Sequence, residues 1–329
     1  MKKHFKIAIQ MDPLESINIK SDSTYILALE AQKRGYRLFH YLPENLIYEN
    51  GRVSALGNVF KLFPNKKIFF KKYQTQKIFL DDYDVILVRQ DPPFNMSYIT
   101  ATYLLEKISN KTLILNNPKS IRDNPEKLSM FNFKSVIPPT LISKNIEQCF
   151  NFQKKYKTTI IKPLYGNGGE GISKLDGTNV VLKKKISKLI NKYNQPIVIQ
   201  KYLNEIKDGD RRIILIDGEY AGSVARIPKK GSVTANFHTG GTAKKVGLIR
   251  RDKKICHTLK PFLKKNKLFF TGIDVIGNYL TEINVTSPTG IQEINRLNGV
   301  KLEKFYAIGS VSKNRSIRKV LPRPTPPQM

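Results

Sequence analysis

The chain of 329 residues is strongly basic, because 57 lysine and arginine residues against 26 aspartate and glutamate residues give a formal net charge of +31. With 40% hydrophobic residues it can bury more than one core, so we expect two or three packed units. The isolated Cys149 and Cys256 exclude a disulfide framework and a zinc site, and the four histidines lack ligand spacing. No apolar run reaches the length of a secretory or membrane-spanning segment, so we expect a cytoplasmic protein without a membrane partner.

The net positive charge is the feature that most suggests a different class of function, namely nucleic-acid binding. The lysines, however, are spread along the whole chain, and no recognition helix, paired aromatic motif or zinc-finger spacing accompanies them. A gene rich in A and T would produce the same abundance of Lys, Asn and Ile. We therefore predict no nucleic-acid partner beyond weak, non-specific binding.

The first third of the chain alternates apolar strands with helices. We predict strands at 5–11, 84–89 and 112–115 and helices at 25–34 and 98–109. This alternation indicates a parallel sheet, in a first domain that ends near Arg122. Asp91-Pro92-Pro93 follows the 84–89 strand at its carboxyl end, where open α/β sheets place ligands, although an ordinary turn fits the pattern equally well.

The rest of the chain follows a different order. Its predicted elements are helices at 147–156 and 181–193, strands at 159–163 and 197–202, and an antiparallel pair at 211–216 and 219–227. The pair encloses Asp217-Gly218, which is a strong hairpin signal. From residue 310 the chain becomes basic and then proline-rich, so we predict a disordered tail.

A single lysine interrupts the apolar strand at 159–163. Burying Lys162 there is costly unless the ammonium is paired, and a phosphate is a suitable partner. A glycine-rich loop follows, whose backbone N–H groups can point at phosphate oxygens, although a hairpin tip would look similar. The spacing matches neither a Walker A loop nor the dinucleotide fingerprint. The candidate loop residues are Gly166, Asn167, Gly168, Gly169 and Gly171.

Asp274 and the Glu282-Ile283-Asn284 motif indicate a metal site. Alternate residues of a strand point to the same face about 6.6 Å apart, so Glu282 and Asn284 offer two oxygen ligands while Ile283 packs behind them. Asp274 would supply a third ligand from the neighbouring strand. Mg²⁺ takes oxygen ligands and is commonly shared between carboxylates and substrate phosphates, which predicts a nucleotide site. A polar, solvent-facing strand edge is the alternative for an isolated Glu-x-Asn.

The strand lysine, the glycine-rich flap and the Asp…Glu-x-Asn group together resemble the ATP-grasp superfamily. Narrower motifs, in order from about Ile7 to Val300, resemble prokaryotic-type glutathione synthetase: Ile9 to Pro13, Asn18 to Ser23, Arg89 to Phe94, Asn116 to Ser120, Glu126 to Leu128, Ile206 to Arg212, Ala225 to Pro228 and Thr281 to Thr289. The resemblance implies an α/β protein with an ATP-grasp fold and an N-terminal Rossmann-like (pre-ATP-grasp) parallel-sheet domain. The implied units are an N-terminal domain at 1–122, a lid subdomain at 123–203, a metal and substrate subdomain at 204–309 and a tail at 310–329.

The resemblance also implies a reaction, in which ATP and Mg²⁺ (or Mn²⁺) support the ligation of γ-glutamylcysteine with glycine to give glutathione. The family is commonly a homotetramer, so a homo-oligomer is expected. One alternative is another ATP-grasp ligase of the glutamate-adding or D-alanine:D-alanine type, against which the string from Glu282 to Thr289 argues. Another alternative is a non-catalytic nucleotide-binding module, because Thr234 stands where the family usually has a substrate-binding arginine.

Roles for individual residues follow from the resemblance. Lys127 and Lys162 would hold the α- and β-phosphates under the flap, and Asp210 would take the ribose hydroxyls. Arg212 resembles the transition-state arginine, whose fixed fork suits a transferring phosphoryl group, and Arg226 would bind the substrate carboxylate or acylphosphate. The implied adenine-lining residues are Gln200, Tyr202 and Leu203, which on pattern alone form only a strand end. In the flap, Tyr165 stands where the family usually has an acidic residue.

Overall fold

The computed structural model describes residues 5–64, 67–237 and 240–313. These residues form three sheets, which lie one after another along the chain. Within the described part of the chain, no helix has both the length and the apolar character needed to cross a membrane.

The first sheet has seven strands and contains the predicted parallel core. Its elements are β1 (Lys6–Gln10), α1 (Ser23–Lys33), β2 (Arg37–Tyr41), β3 (Leu46–Glu49), β4 (Arg52–Leu62), β5 (Phe70–Phe79), β6 (Val85–Val88), α2 (Met96–Glu106) and β7 (Leu113–Leu115). Strands β2, β1, β6 and β7 pair in parallel in that order. The three strands predicted from the sequence are therefore adjacent in one parallel sheet.

An antiparallel extension of this sheet was not predicted. Strands β3, β4 and β5 pair antiparallel beyond β2. Most of β5 is exposed, so its lysine-rich sequence lacks the apolar alternation by which a strand is recognised. The Asn50-Gly51 pair between β3 and β4, both with positive φ, is the hairpin signal that could have revealed it.

The second sheet is a small antiparallel unit with two helices on one side. After α3 (Pro118–Asp123), its elements are β8 (Thr140–Ser143), α4 (Ile146–Tyr156), β9 (Thr159–Pro163), β10 (Ser173–Leu175), α5 (Asn179–Tyr193) and β11 (Ile197–Lys201). The strand order is β10-β9-β11-β8. Phe150 on α4 and Ile186 on α5 pack in a separate core with Ile161 of β9. We call this unit the lid.

The third sheet has five antiparallel strands in the order β14-β13-β12-β15-β16. Its elements, with the helices that follow, are β12 (Asp210–Ile216), β13 (Glu219–Ile227), β14 (Thr242–Lys245), α6 (Arg250–Lys265), β15 (Phe270–Ile276), β16 (Tyr279–Asn284), α7 (Ile291–Asn298) and α8 (Leu302–Lys313). Asp217 and Gly218 connect β12 to β13 with φ of 54° and 75°, which confirms the predicted hairpin. Residues 310–313 belong to α8 rather than to a tail, and 314–329 lie outside the described residues.

Two packing relationships fix the first sheet to the third. Ile214 and Phe270 share one hydrophobic core with α1 and with β1. Asn116, just after β7, donates to the backbone oxygens of Phe270 and Val285 and accepts from the Phe270 N–H. The first and third sheets therefore form one continuous body.

The segment around Lys127 differs from its expected place. The sequence assigned 123–203 to the lid, but Met130, Phe133 and Val136 pack in the core of the third sheet, against α6 and β15. The backbone N–H of Ile283 also donates to the carbonyl of Glu126. Lys127 is therefore held against the third sheet, and the lid sheet itself begins only at β8. The sequence could not predict this, because apolar spacing shows that a segment is buried but not which sheet it packs against.

Candidate active site

A row of three charged side chains crosses the third sheet. Arg212 on β12 lies opposite Asp274 on β15, which in turn lies opposite Glu282 on β16. Ile283 is fully buried behind this row, and the Asn284 amide nitrogen lies 3.4 Å from Asp274 Oδ2. The predicted cluster of Asp274, Glu282 and Asn284 thus exists on one face of the sheet.

Two arginines bind Asp274 of this row. Arg212 donates to Asp274 through Nε and Nη2 at 2.6 and 3.0 Å, and Arg226 Nη2 lies 2.9 Å from Asp274 Oδ2. Arg226 also donates to both oxygens of Asp210 at 2.6 and 2.7 Å. Burial alone would raise the pKa of Asp274, but the two guanidinium groups outweigh it and hold the pKa well below its usual range. Asp274 is therefore a permanent anion, and both arginine forks are fixed in place.

Lys127 connects the flap to the candidate metal cluster. Its Nζ lies 3.0 Å from Glu282 Oε1 and donates to the Gly166 carbonyl at 2.5 Å. Burial would lower the pKa of Lys127, but Glu282 and Glu126 outweigh it and raise the pKa. Two of the three N–H donors of the Lys127 ammonium are thus directed to Glu282 and to the Gly166 carbonyl, which leaves one donor for a ligand.

Lys162 is the buried strand lysine that the sequence singled out. It is 8% exposed, and its Nζ donates to Gln200 Oε1 on the neighbouring strand β11 at 3.0 Å. Burial lowers the pKa of Lys162 to about 8, and the charge of Glu282 offsets only part of that effect. A neutral amide is a weak partner for a buried ammonium, so the site favours an additional anion.

The flap lies between β9 and β10, as the glycine pattern predicted. Gly168, Gly169 and Gly171 have φ of 62°, 88° and 72°, a region that other residues adopt at a cost. Glu170 at the tip accepts hydrogen bonds from Lys192 Nζ at 3.1 Å and from Tyr193 OH at 3.2 Å.

Two cavities meet at the flap. The smaller, of about 70 Å³, is lined by Lys127, Lys162, Asp210, Asp274 and Glu282 together with the flap. The larger, of about 760 Å³, extends from Arg212, Arg226 and Asn284 to the carboxyl ends of β1 and β6. Because a nucleotide needs several hundred Å³, the flap has to move to admit one to the smaller cavity.

The three predicted adenine-lining residues line neither cavity. Gln200 is 1% exposed and is paired with Lys162, Leu203 is buried, and Tyr202 lies beneath the Lys174 ammonium. The apolar part of the smaller cavity is formed instead by Ile160, Ile172, Ile206 and Ile276. These isoleucines carry no signal in the sequence that separates them from ordinary core residues.

Sequence reasoning gave no role to three charged residues on the larger cavity: Arg89 and Glu293, which are buried, and Glu126, which is half-buried. Arg89 Nη1 and Glu293 Oε2 are both buried, and neither has a hydrogen-bond partner among the described residues. Burial, reinforced by Glu282, raises the pKa of Glu126 to about 7, although Thr286 donates to it at 2.7 Å. The position of Arg89 at the end of β6, beside Asp91-Pro92-Pro93, was the available signal.

The residues present fit a hard cation. Two carboxylates and one amide lie on neighbouring strands, and oxygen donors of this kind suit Mg²⁺ when phosphates complete the shell. Among the described residues, no cluster of three His, Cys, Asp or Glu side chains could hold a metal alone. An ion at this site would therefore need the Asn284 side-chain oxygen and the phosphates of a bound nucleotide as further ligands.

The structure has the ATP-grasp fold. D-cycloserine synthetase DcsG matches the structure with a TM-score of 0.64 at 11% identity, over 93% of this chain and 99% of that chain. D-alanyl-alanine synthetase A from Vibrio cholerae matches with a TM-score of 0.59 at 11% identity, over 94% of this chain and 98% of that chain. At such low identity these similarities establish the fold alone, and they confirm the predicted ATP-grasp architecture.

The family is established by the sequence. The model of the prokaryotic glutathione synthetase N-terminal domain matches residues 5–122, and the model of the prokaryotic glutathione synthetase ATP-grasp domain matches residues 126–299. Glutathione synthetases of Brucella melitensis and Mesorhizobium japonicum are 42% and 40% identical to the chain, each over 92% of it and 96% of their own length. That of Buchnera aphidicola is 41% identical over 92% of the chain and 95% of its own length. The chain belongs to the prokaryotic glutathione synthetase family, as the resemblance implied.

Proposed function

We propose that the protein is an ATP- and Mg²⁺-dependent ligase that phosphorylates the cysteinyl carboxylate of γ-glutamylcysteine and joins it to the amine of glycine. The observation that carries this proposal is the shared wall of the two cavities. Asn167, Gly168 and Glu170 of the flap, with Glu282, border both. A nucleotide in the smaller cavity would therefore direct its terminal phosphate to a substrate in the larger one.

The nucleotide would lie with its phosphates between Lys127 and Lys162. Both ammonium groups line the smaller cavity, and each has a donor to spare beyond the contacts described above. The flap residues Gly166, Asn167, Gly168, Gly169 and Gly171 would cover these phosphates with backbone N–H groups. The base would rest on Ile160 and Ile206, with Gln200, Tyr202 and Leu203 behind the cavity wall.

Asp210 is proposed to bind the ribose. Its carboxylate lines the smaller cavity, but both of its oxygens accept from Arg226. Each carboxylate oxygen has a second lone pair, so the ribose hydroxyls can donate without displacing the arginine.

Arg212 and Arg226 would stabilise the charge that spreads over the phosphoryl group during its transfer. Both guanidinium groups line the larger cavity and are fixed by Asp274 and Asp210. Hydrogen-bond donors that are already fixed need no reorganisation as charge develops, so they stabilise the transition state more than mobile donors do. The carboxylate oxygen of the dipeptide attacks the γ-phosphorus, ADP leaves, and the amine of glycine then displaces phosphate from the acyl carbon.

Asp274, Glu282 and Asn284 would hold Mg²⁺ or Mn²⁺, and the bound ion would neutralise phosphate charge and align the transferring group. Lys127 forms an ion pair with Glu282 in the structure, so its ammonium occupies one side of that carboxylate. Arg212 and Arg226 compete in the same way for Asp274.

The larger cavity is chemically suited to the γ-glutamyl group. That group ends in an α-carboxylate and an α-ammonium, and the cavity is lined by a buried cation, Arg89, and a buried anion, Glu293. Arg89 is fixed by its Nε bond to Thr24 and its Nη2 bond to the Pro288 carbonyl, both at 3.0 Å. The hydrogen-bond partners of Arg89 are neutral groups, so a zwitterionic ligand would place a charge of opposite sign near both Arg89 and Glu293.

One assay tests the proposal against its alternatives. Phosphate release is measured with ATP and Mg²⁺ while γ-glutamylcysteine and glycine are omitted in turn, and products are identified by mass spectrometry. We expect glutathione, and phosphate release that needs both substrates. Products from D-alanine or glutamate in place of glutathione would support another ATP-grasp ligase, and ATP binding with no acceptor at all would support the non-catalytic module.

Three further expectations stay predictions: a homo-oligomer, a cytoplasmic location, and nucleic-acid binding that is weak and sequence-independent. The last follows from lysines dispersed along the chain, whose binding should fall steeply between low and physiological salt. Titration of a labelled duplex at two salt concentrations checks it, and tight binding to one sequence at physiological salt would contradict it.

A further inference from the structure

The base of the flap is attached to the N-terminal domain by an aromatic stack. Tyr165, the first residue after the buried Leu164, lies over Phe94 with ring centroids 6.0 Å apart and planes at 28°. Phe94 packs in turn on Tyr98 at 5.2 Å, and Tyr98 is 2% exposed in the core of the first sheet. The flap base is thus continuous with a core of the N-terminal domain.

The tip of the flap is attached by weaker means. Glu170 contacts Lys192 and Tyr193 of the lid through exposed side chains, and exposed ion pairs of this kind contribute little. The bond from Lys127 to the Gly166 carbonyl depends on an ammonium that we assign to the phosphates. The Tyr165–Phe94 stack differs from both, because neither ring belongs to a group with a role in binding ATP or substrate.

The position of the stack connects it to the larger cavity. Phe94 follows Asp91 and Pro92, which line that cavity, and the Asn95 side chain, which accepts from the Tyr98 N–H, caps α2 directly after it. Tyr165 precedes the flap residues that separate the two cavities. The stack therefore joins the wall of the larger cavity to the base of the flap, which separates the two cavities.

We propose that Tyr165 is a positioning residue whose stack on Phe94 returns the flap to one closed position and keeps water from the acylphosphate. The proposal rests on the function proposed above. If the flap closes loosely, water replaces glycine: its oxygen attacks the acyl carbon, the bond from that carbon to the phosphate oxygen breaks, and the dipeptide carboxylate and phosphate are released. The net result is ATP hydrolysis without glutathione.

The decisive measurement is the ratio of phosphate released to glutathione formed. In Tyr165→Ala we expect phosphate release without glycine, in the presence of γ-glutamylcysteine, to rise about two- to tenfold, the range that loss of one aromatic pair supports. Tyr165→Phe keeps the ring and should keep the wild-type ratio. Phe94→Ala should reproduce the defect, and the double variant should be no worse than either single variant.

A matched control and a second readout separate the outcomes. Tyr48→Ala removes a tyrosine that is 51% exposed and lines neither cavity, so it should change nothing. Amide hydrogen exchange at 166–171 with ADP and Mg²⁺ should be faster in Tyr165→Ala than in wild type or Tyr165→Phe. If the wild type makes no glutathione, the proposed function fails while the exchange experiment still tests the stack. Unchanged exchange in Tyr165→Ala, or uncoupling by Tyr165→Phe equal to that by Tyr165→Ala, would overturn the proposal.

Discussion

Arg212 and Asp274 lie directly opposite each other on β12 and β15 and are joined by two hydrogen bonds of 2.6 and 3.0 Å. The pair is buried, so its geometry is set by the register of the sheet rather than by a flexible loop. An arginine on a rigid strand holds its fork in place before a substrate arrives, as the role proposed for Arg212 requires.

Replacing Arg212 by Met should impair both catalysis and stability. The change leaves the buried Asp274 with Arg226 alone, and breaking a buried pair from one side costs about 3–5 kcal/mol. Turnover should fall by about two to three orders of magnitude, the effect of removing one preorganised donor. Arg212→Lys is the control: it keeps the charge and most of the stability but loses the fork and should turn over slowly. Urea denaturation and the phosphate-release assay measure the two effects, and wild-type turnover in Arg212→Met would exclude the proposed role.

Lys162 should make nucleotide affinity depend on pH. Its pKa is lowered to about 8, so the ammonium is charged at pH 7 and loses its proton as the pH rises through about 8. Affinity for ADP should therefore fall about tenfold between pH 7 and pH 9. Lys162→Ala should lose about 1.5–3 kcal/mol, or one to two decades of affinity at pH 7, with little remaining dependence on pH.

Lys162→Arg provides the matched comparison for that titration, because a guanidinium stays charged throughout this pH range. Calorimetric titration at pH 7, 8 and 9 should give a flat profile for the arginine variant. Thermal unfolding verifies that each variant is folded. If wild-type affinity were equally flat, the phosphates would not lie beside Lys162.

Glu282→Gln should abolish turnover while the fold is kept. The carboxylate is 22% exposed at the side chain and its direct partner is the Lys127 ammonium, so its neutralisation would remove a proposed metal ligand without opening the core. A neutral amide holds a hard cation less well where phosphate charge must be balanced. Titration of activity with Mg²⁺ and Mn²⁺ is the measurement. Full activity of the variant at low millimolar Mg²⁺ would remove Glu282 from the metal site.

Thr234→Arg should lower KM for γ-glutamylcysteine and leave KM for ATP nearly unchanged. The resemblance implies an arginine for the substrate carboxylate at this position. Thr234 itself lines the smaller cavity, but Asn236, two residues further on, lines both cavities, so we expect the longer arginine side chain to extend to the larger one. A restored charge-assisted contact corresponds to about 1.5–3 kcal/mol, of which an exposed loop would retain only part. Initial rates at varied γ-glutamylcysteine concentration test this prediction. A raised KM for γ-glutamylcysteine would show that the side chain at position 234 does not contact the substrate carboxylate.

The sequence predicted the parts of the site that are local in the chain. Lys162 was recognisable because a charged residue interrupts five residues of strand, and the hairpin at Asp217 because the turn chemistry is specific. The adjacency of Asp274 and Glu282 followed from one short connection between two strands. Each of these inferences spans no more than a few residues.

The remaining parts depend on contacts between distant segments. Arg89 and Glu293 line the same cavity although about two hundred residues separate them in the chain. The sequence around either residue contains no pattern that predicts its proximity to the other. The segment at Lys127 packs on the third sheet rather than on the lid, a choice set by tertiary packing. The isoleucines of the smaller cavity look like any other core residues in the sequence.

The three bonds of Asn116 and the core shared by β1, α1 and the third sheet bind two units of the protein into one cooperative block. The lid, whose core is its own, remains outside that block. Local unfolding of the lid can therefore occur at a free energy below that of global unfolding, and the row of Arg212, Asp274 and Glu282 keeps its arrangement while it does. The residues that open in this way run from Thr140 to Lys201, about one fifth of the chain, and they include Lys162 and the flap.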